Sequence, residues 1–256
     1  MTGRLAGKRA VIIGAGSVSD GIGNGRASAM LFAREGARVL AVDRDAAAAH
    51  DTVARIHAEG GEAEAMTADA TDATALEAVM ARAVALWGGL DIVQHVVGIS
   101  VAGGVTDTAP ADWDRVFAVN LTSAYLTARA AVPVMQASGG GALVFISSLA
   151  AHQSGPYSYV AYEASKAGVN RLARSIAKAH ATDNIRANVV MPGVIDTPHV
   201  QAFITSAQAS ADRAKMVPLG RQGSPWDVAE AALFLASDAA GFITGVVLPV
   251  DGGMSA

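Results

Sequence analysis

The chain contains no cysteine, which excludes disulfides, thiolate nucleophiles and thiolate metal sites while leaving the redox compartment open. It also lacks any long Lys/Arg run, and its formal net charge is -4. There is accordingly no electrostatic footprint for nucleic acid or for an anionic membrane. No stretch reaches the roughly 18 consecutive apolar residues of a spanning helix. The apolar run Ala10-Val-Ile-Ile-Gly14 is too short, and too soon broken by glycine, for a signal segment. These absences leave a small molecule as the expected ligand and a soluble, cytoplasmic protein as the expected form, with no metal, nucleic acid or membrane partner.

What is present is apolar material in alternating blocks. Hydrophobic residues make up 52% of 256 positions, enough for one large core, and no linker interrupts them, so one domain spanning 1–256 is expected. Ala10–Gly14 reads as a first strand and the glycine-rich 14–23 as a loop. Arg26 to Glu35 reads as a helix and Arg38 to Val42 as a second strand. Asp45 is placed to cap an alanine-rich helix ending near Gly60-Gly61, and Glu62 to Thr67 makes a weaker strand. Thr74-x-x-Glu77 has the pattern of a capping box, followed by Leu76, Val79, Met80, Ala83, Val84 and Trp87 at helical spacing. Ile92 to Val97, apolar except for Gln94 and His95, reads as a strand buried on both faces.

A long helix from about Asp112 to Met135, a strand ending at Ser147, a helix from Val160 to His180 and a strand from Ile185 to Met191 continue the alternation. Pro198 to Met216 lacks clean periodicity and reads as a helical flap. Ser224-Pro225-Trp-Asp227 opens a further helix, and Val246 to Val250 supplies a last strand. Alternating strands and helices predict an α/β fold, a doubly wound parallel sheet of about seven strands with helices on both faces.

Within that frame, Tyr162-Glu-Ala-Ser-Lys166 places a phenol and an ammonium as neighbours on one helix face. An adjacent cation favours the ionised phenol. Lowering its pKa by roughly 3 units takes about 4 kcal/mol of differential interaction, which the lysine and a cationic cofactor ring together can supply, after which the tyrosine can serve as a general acid or base. Just upstream, the β-rich run Leu143-Val-Phe-Ile ends in the hydroxyls Ser147 and Ser148. At the other end of the chain, a strand feeds a glycine-rich turn that opens a helix, an arrangement suited to a pyrophosphate.

The order of strand, serine, loop, tyrosine and lysine, joined to the N-terminal glycine loop, resembles the short-chain dehydrogenase/reductase family over essentially the whole chain. The resemblance implies a Rossmann-like fold and a nicotinamide-dependent oxidoreductase that interconverts a secondary alcohol and a ketone. It also implies a dimer or tetramer. It assigns Asn120 to a helix kink that holds a relay water and Ser148, with Ser147 as the alternative, to the substrate oxygen. Tyr162 moves the proton, and Lys166 lowers the pKa of Tyr162 and holds the nicotinamide ribose. Cofactor contacts fall on Gly14, Ser17, Gly21, Ile22, Gly23, Asp43, Arg44, Asp69, Ala70, Gly98, Pro192, Gly193, Ile195 and Thr197.

Three departures accompany the match. Six residues separate Gly14 from Gly21 where the family has three, so Gly16, Ser17 and Ser19 are alternative phosphate contacts. The family's Asn-Asn-Ala-Gly appears as His95-Val96-Val97-Gly98, with His95 read as structural, leaving open how the centre of the sheet is cross-linked. The interval from Ser148 to Tyr162 carries about one residue more than the resemblance implies, so a bulge is expected within Leu149 to Ala161, a loop that contains His152, Tyr157 and Tyr159. Asp43, 20 residues after Gly23, can accept from an adenine ribose hydroxyl and predicts NAD over NADP, with Arg44 as a neighbour able to pair with a phosphate. Two alternatives stay open. One is a 3-oxoacyl thioester reductase steered by Arg213 and Lys215; the other is a catalytically silent dinucleotide-binding module.

Overall fold

The computed structural model describes residues 3–18, 20–155, 158–201 and 206–256. Among them, seven strands form one parallel sheet: β1 (Arg9–Ile13), β2 (Arg38–Asp43), β3 (Glu62–Thr67), β4 (Ile92–His95), β5 (Gly141–Ile146), β6 (Ile185–Pro192) and β7 (Val247–Val250). Their order is β3-β2-β1-β4-β5-β6-β7. The helices are α1 (Asn24–Arg34), α2 (Ala46–Ala58), α3 (Ala73–Trp87), α4 (Pro110–Phe117), α5 (Ser123–Ala137), α6 (Val160–Ala179), α7 (Pro198–Gln201), α8 (Ala207–Lys215) and α9 (Pro225–Ala236).

Ala10 to Ile13 and all of β4 are buried, as in strands covered on both faces, and the polar Gln94 and His95 of β4 are bonded to Ser28 and Thr127. One face is covered by α1, α2 and α9, through Phe32, Ile56 and Leu233 among others. The opposite face is covered by α3, α5 and α6, through Leu76, Met135 and Val169. Strand order reverses between β1 and β4, and at such a switch point the loops after neighbouring strands diverge and leave a crevice at their carboxyl ends.

Several boundaries depart from the sequence expectation for identifiable reasons. The Asp72 side chain accepts from the backbone N–H groups of Thr74 and Ala75 at 2.8 and 3.2 Å. Asp72 is therefore the N-cap of α3, and the expected capping box at Thr74 and Glu77 is not formed. β4 ends at His95 rather than Val97 because Gly14, with φ +86°, turns the chain away after Ile13, the register partner of His95. α1 starts at Asn24, two residues before the expected Arg26, because Gly23 is extended and serves as its N-cap. At α9 the expectation holds, with Ser224 and Asp227 forming a reciprocal capping box and Pro225 in the first turn.

The expected helix from Asp112 to Met135 is broken into α4 and α5 by a π-helical turn, Ala118–Thr122. Asn120 lies at its centre and is fully buried. Its amide nitrogen donates to Ile99 O at 2.9 Å and to Ser165 Oγ at 2.9 Å, and its Oδ1 accepts from Ile99 N at 2.8 Å. The side chain thus ties the turn to the segment after β4, a gain that offsets the loss of regular helical bonding.

Candidate active site

The carboxyl ends of β1, β2, β3, β4, β5 and β6 border a cavity of about 820 Å³. Ser148, Tyr162 and Lys166 meet on one wall. Ser148 follows β5 and accepts from Ala150 N at 3.2 Å, which fixes it at the start of a short 3₁₀ turn. Its hydroxyl is hydrogen-bonded to the half-buried Tyr162 phenol. The neighbouring Ser147 hydroxyl donates to Lys166 O at 3.1 Å and so fastens α6 to β5. Of the two serines, Ser148 is the one that engages the tyrosine.

Lys166 is 3% exposed. Its ammonium donates to Ile146 O at 3.0 Å and to Val97 O at 3.5 Å, and lies 5.8 Å from the Tyr162 ring centroid. Burial pulls its pKa down to about 8. In the protein alone Lys166 does not lower the Tyr162 pKa; the expected lowering rests on the lysine acting together with a cationic cofactor ring. Burial raises the phenol pKa, and the opposing contribution comes from the Ser148 hydrogen bond. The lysine is spent on backbone carbonyls beneath the ring. Gly98 has a steric role here, because a Cβ at that position would sit 2.9 Å from Lys166 Nζ and 3.5 Å from Asn120 Oδ1. Asn120 itself does not line the cavity; it acts from behind Ile99 and Ser165.

His95 resolves the question left by the missing asparagines. One ring nitrogen lies 3.1 Å from Thr127 Oγ1 and the other 3.1 Å from Ser123 Oγ, which in turn donates to Val119 O. The imidazole cross-links β4 to α5 and to the π-helical turn. Burial, helped by the charge of Lys166, lowers its pKa to about 3, so it is neutral at physiological pH.

Toward β1 and β2 the lining includes Gly14, Gly16, Ser17, Gly23, Asn24 and Gly25. The N-terminus of α1 has neither a capping side chain nor an acidic residue in its first turn, and the Oδ1 of Asn24 is buried without a partner. Free N–H groups at a helix start suit an anion. Gly25 escaped the sequence reading. A Cβ there would lie 1.8 Å from Gly14 O, so this glycine lets α1 approach β1, and the Gly-x-Gly-x-Gly run was its visible signal. Gly21 and Ile22 do not line the cavity. Gly21 abuts Pro198, whose Cγ lies 2.4 Å from the site of a Cβ, while Ile22 packs on the core. Ser19 lies outside the described residues, as does Tyr157.

The enlarged loop is fastened to α2. Arg26, 1% exposed, donates to Gly21 O at 2.7 Å and to Thr52 Oγ1 at 3.1 Å and pairs with Asp51 at 2.8 Å. Thr52 donates to Ala15 O at 2.9 Å, and Arg55, also paired with Asp51, donates to Asp20 O at 3.2 Å. Nothing in the spacing of these residues had marked them.

Asp43 lines the cavity at the end of β2, its oxygens accepting from Gly16 N at 2.9 Å and Asp45 N at 3.0 Å. Asp45 caps α2 through Ala47 N and Ala48 N, as expected. Arg44, Asp69 and Ala70 share this end. The Asp69 carboxylate accepts from the N–H and hydroxyl of Thr71, both at 2.8 Å, which holds its pKa low. Pro192, Gly193, Ile195 and Thr197 line the opposite end, with Thr197 Oγ1 accepting from Val200 N at 3.3 Å. Tyr159, Glu163 and Arg213 complete that end, whereas His152 is exposed on the surface outside it. An uncapped helix start, an acid at the end of β2 and a buried ammonium at the far side fit a dinucleotide lying along the cavity. Among the described residues no helix is long and apolar enough to cross a membrane, and no group of three or more His, Asp or Glu side chains could hold a metal ion.

The chain is similar to known proteins over nearly its full length. It is 38% identical to the 2,5-dichloro-2,5-cyclohexadiene-1,4-diol dehydrogenase LinX of Sphingobium indicum, covering 100% of this chain and 99% of that one. It is 40% identical to the cis-4-hydroxycyclohexanecarboxylate dehydrogenase of Sinomonas cyclohexanicum, with 96% of each covered. A crystal structure of a candidate short-chain dehydrogenase/reductase from Burkholderia xenovorans superposes with a TM-score of 0.94 at 41% identity, covering 99% of this chain and 98% of that one. Residues 16–255 match a family model described as enoyl-(acyl carrier protein) reductase. With this match and the Ser148–Tyr162–Lys166 geometry together, the chain belongs to the short-chain dehydrogenase/reductase family and is an oxidoreductase that acts on CH–OH groups with a nicotinamide cofactor.

Proposed function

We propose that residues 1–256 form one dinucleotide-binding and catalytic domain that interconverts a secondary alcohol and a ketone, with NAD preferred over NADP. The observation that carries this reading is the hydrogen-bonded Ser148–Tyr162 pair above the buried Lys166, on the wall of a cavity whose far end holds Asp43. Bound nicotinamide supplies or accepts the hydride. Ser148 orients the substrate oxygen, and Tyr162 exchanges a proton with it. At neutral pH the raised pKa keeps the phenol protonated, the state needed to donate to a carbonyl oxygen. In the oxidation direction, loss of that proton would be favoured by the charge of Lys166 acting together with that of the oxidised nicotinamide ring. Lys166 would also hold the nicotinamide ribose and Asp43 would accept from the adenine ribose hydroxyls, while Asn120 holds the segment after β4.

Relatives named for a cyclohexadiene diol, a hydroxysteroid and a hydroxycyclohexanecarboxylate support a secondary alcohol as substrate. The thioester alternative has a relative in the 3-oxoacyl-[acyl-carrier-protein] reductase of Thermotoga maritima, 35% identical. It draws less support from the flap, because Lys215 is exposed and paired with Asp212 at 2.9 Å. A homo-oligomer, dimer or tetramer, is supported by the exposed Trp113 and Tyr125 on α4 and α5. The reading includes a cytoplasmic location; among the described residues no helix is long and apolar enough to cross a membrane.

The test is a panel of secondary alcohols and ketones run with both nucleotides. If Asp43 supplies about 2 kcal/mol of discrimination against a 2′-phosphate, kcat/KM favours NAD by roughly thirtyfold, and Asp43→Ala removes much of that preference. Equal efficiencies with the two cofactors would refute the role given to Asp43. A silent module would bind NADH and turn over nothing.

A further inference from the structure

We infer that Arg213 is an anion receptor at the substrate end of the cavity, so that the substrate is a secondary alcohol or ketone bearing a second, negatively charged group, a carboxylate fitting best. The inference rests on the alcohol–ketone reading of the same site. Arg213, on α8, lines the cavity together with Ser148, Tyr162, Pro198 and Val200. Its guanidinium is a planar cationic fork, and among the described residues no carboxylate lies within 4.0 Å of it. The neighbouring cations are compensated, Lys215 by Asp212 at 2.9 Å and Arg221 by Asp227 at 3.4 Å. A half-buried arginine facing a cavity with its charge uncompensated is suited to receiving an anion through two parallel N–H bonds.

The side chain is also held in place. Its Nε donates to Gln222 Oε1 at 3.1 Å, and the Gln222 amide nitrogen donates to Ser210 O at 3.3 Å and Ser210 Oγ at 3.1 Å. The glutamine is therefore oriented with its oxygen toward the arginine, which it fixes without neutralising. The next residue, Gly223, is bonded to the segment before Thr197, through Gly223 N to Val194 O at 2.9 Å and Asp196 N to Gly223 O at 2.8 Å. Arg213 is thus built onto the Ile195–Thr197 wall, away from Asp43. The other charges at this end set the orientation of the ligand. Lys166 is committed to two backbone carbonyls, and Glu163, which accepts from Ser154 Oγ at 3.1 Å, repels an anion. An anionic tail is directed to the flap side while the carbinol faces Tyr162.

The competing source of a negative charge is the pyrophosphate of the cofactor, and the experiment separates the two. Turnover with NAD is measured for 3-hydroxybutyrate, 5-hydroxyhexanoate and 4-hydroxycyclohexanecarboxylate, each against its carboxamide, in the wild type and in Arg213→Gln. Binding of acetoacetate and 5-oxohexanoate, against their amides, to the NADH complex is read by NADH fluorescence, and NADH affinity is measured for both proteins. The expected result is an acid preferred over its amide by about tenfold or more, the range of a charge-assisted hydrogen-bond pair. That preference is lost in Arg213→Gln, mainly through KM, with NADH affinity unchanged.

Acids and amides used and bound equally well would overturn the inference. So would a variant whose affinity for NADH falls as much as its use of the acids, which would assign Arg213 to the pyrophosphate. Tyr162-dependent turnover of neutral alcohols without acid preference removes this inference and leaves the oxidoreductase reading standing. Absence of all turnover removes that reading, and the binding arm still decides the role of Arg213.

Discussion

At the residue scale, two ionisable groups sit together and burial pushes each toward its neutral form. Tyr162 is held protonated by burial, so Tyr162→Phe removes a proton donor and little volume. Turnover is expected to fall by about 10²–10⁴-fold while NADH fluorescence shows unchanged binding. Wild-type turnover in that variant, with chemistry rate-limiting, would eliminate the tyrosine as the proton carrier. Lys166 has an ordinary pKa of 10.5 and a folded value of about 8. Below pH 8 both folded and unfolded chains carry its proton, and the cost of a buried charge is fully present. Between pH 8 and 10.5 the unfolded chain holds more protons, so this group's contribution to stability rises with pH. Denaturation of the wild type and of Lys166→Met across that window is expected to show their stability difference shifting by about 3 kcal/mol in favour of the wild type, whatever constant offset the two carbonyl bonds impose. A pH-independent difference would mean that the lysine titrates normally.

At the scale of elements, the informative unit is the loop between β1 and α1, because its extra length is held by contacts from α2. Arg26 binds Gly21 O, Thr52 and Asp51 at once through its planar fork, a geometry that a lysine cannot reproduce. Arg26→Lys is expected to weaken NADH affinity by about three- to tenfold with far-UV circular dichroism unchanged, since roughly 1 kcal/mol of ordering is lost for each bond given up. Affinity equal to wild type would show that the loop keeps its shape without the clamp. The loop's length and its glycines were legible, along with the resemblance they carried. The clamp was not, because Arg26 and Asp51 lie on different helices and only the packing of α1 beside α2 brings them within 2.8 Å. The break at Ala118–Thr122 was likewise half legible. A mid-helix Asn120 signalled a disturbance, but its partners Ile99 and Ser165 are distant in sequence.

At the scale of the whole molecule, the cavity is bordered by the ends of six strands, so a ligand that fills it stabilises the sheet as one unit. NADH at a hundred times its dissociation constant contributes about 2.7 kcal/mol. For a chain of this size that is a rise in Tm of roughly 5–10 °C. Scanning fluorimetry is expected to show this rise with NADH and a smaller one with NADPH at the same concentration. Equal shifts would contradict the placement of Asp43 against the adenine ribose.

What the sequence by itself determined is the alternation of buried strands and amphipathic helices, and with it the parallel sheet. It also determined the order of Ser148, Tyr162 and Lys166, because periodicity and short spacings are local properties. The tertiary structure decided which groups of that constellation face one another. It set Lys166 on the carbonyls of Ile146 and Val97 rather than on the phenol, put Ser148 instead of Ser147 on Tyr162, and gave His95 the cross-link left open by two missing asparagines. It also brought Arg213 to the wall of Ile195–Thr197. Each of these depends on burial and on hydrogen-bond partners tens of residues away, and desolvation, which sets the protonation of Tyr162, Lys166 and His95, exists only once the chain has closed around them.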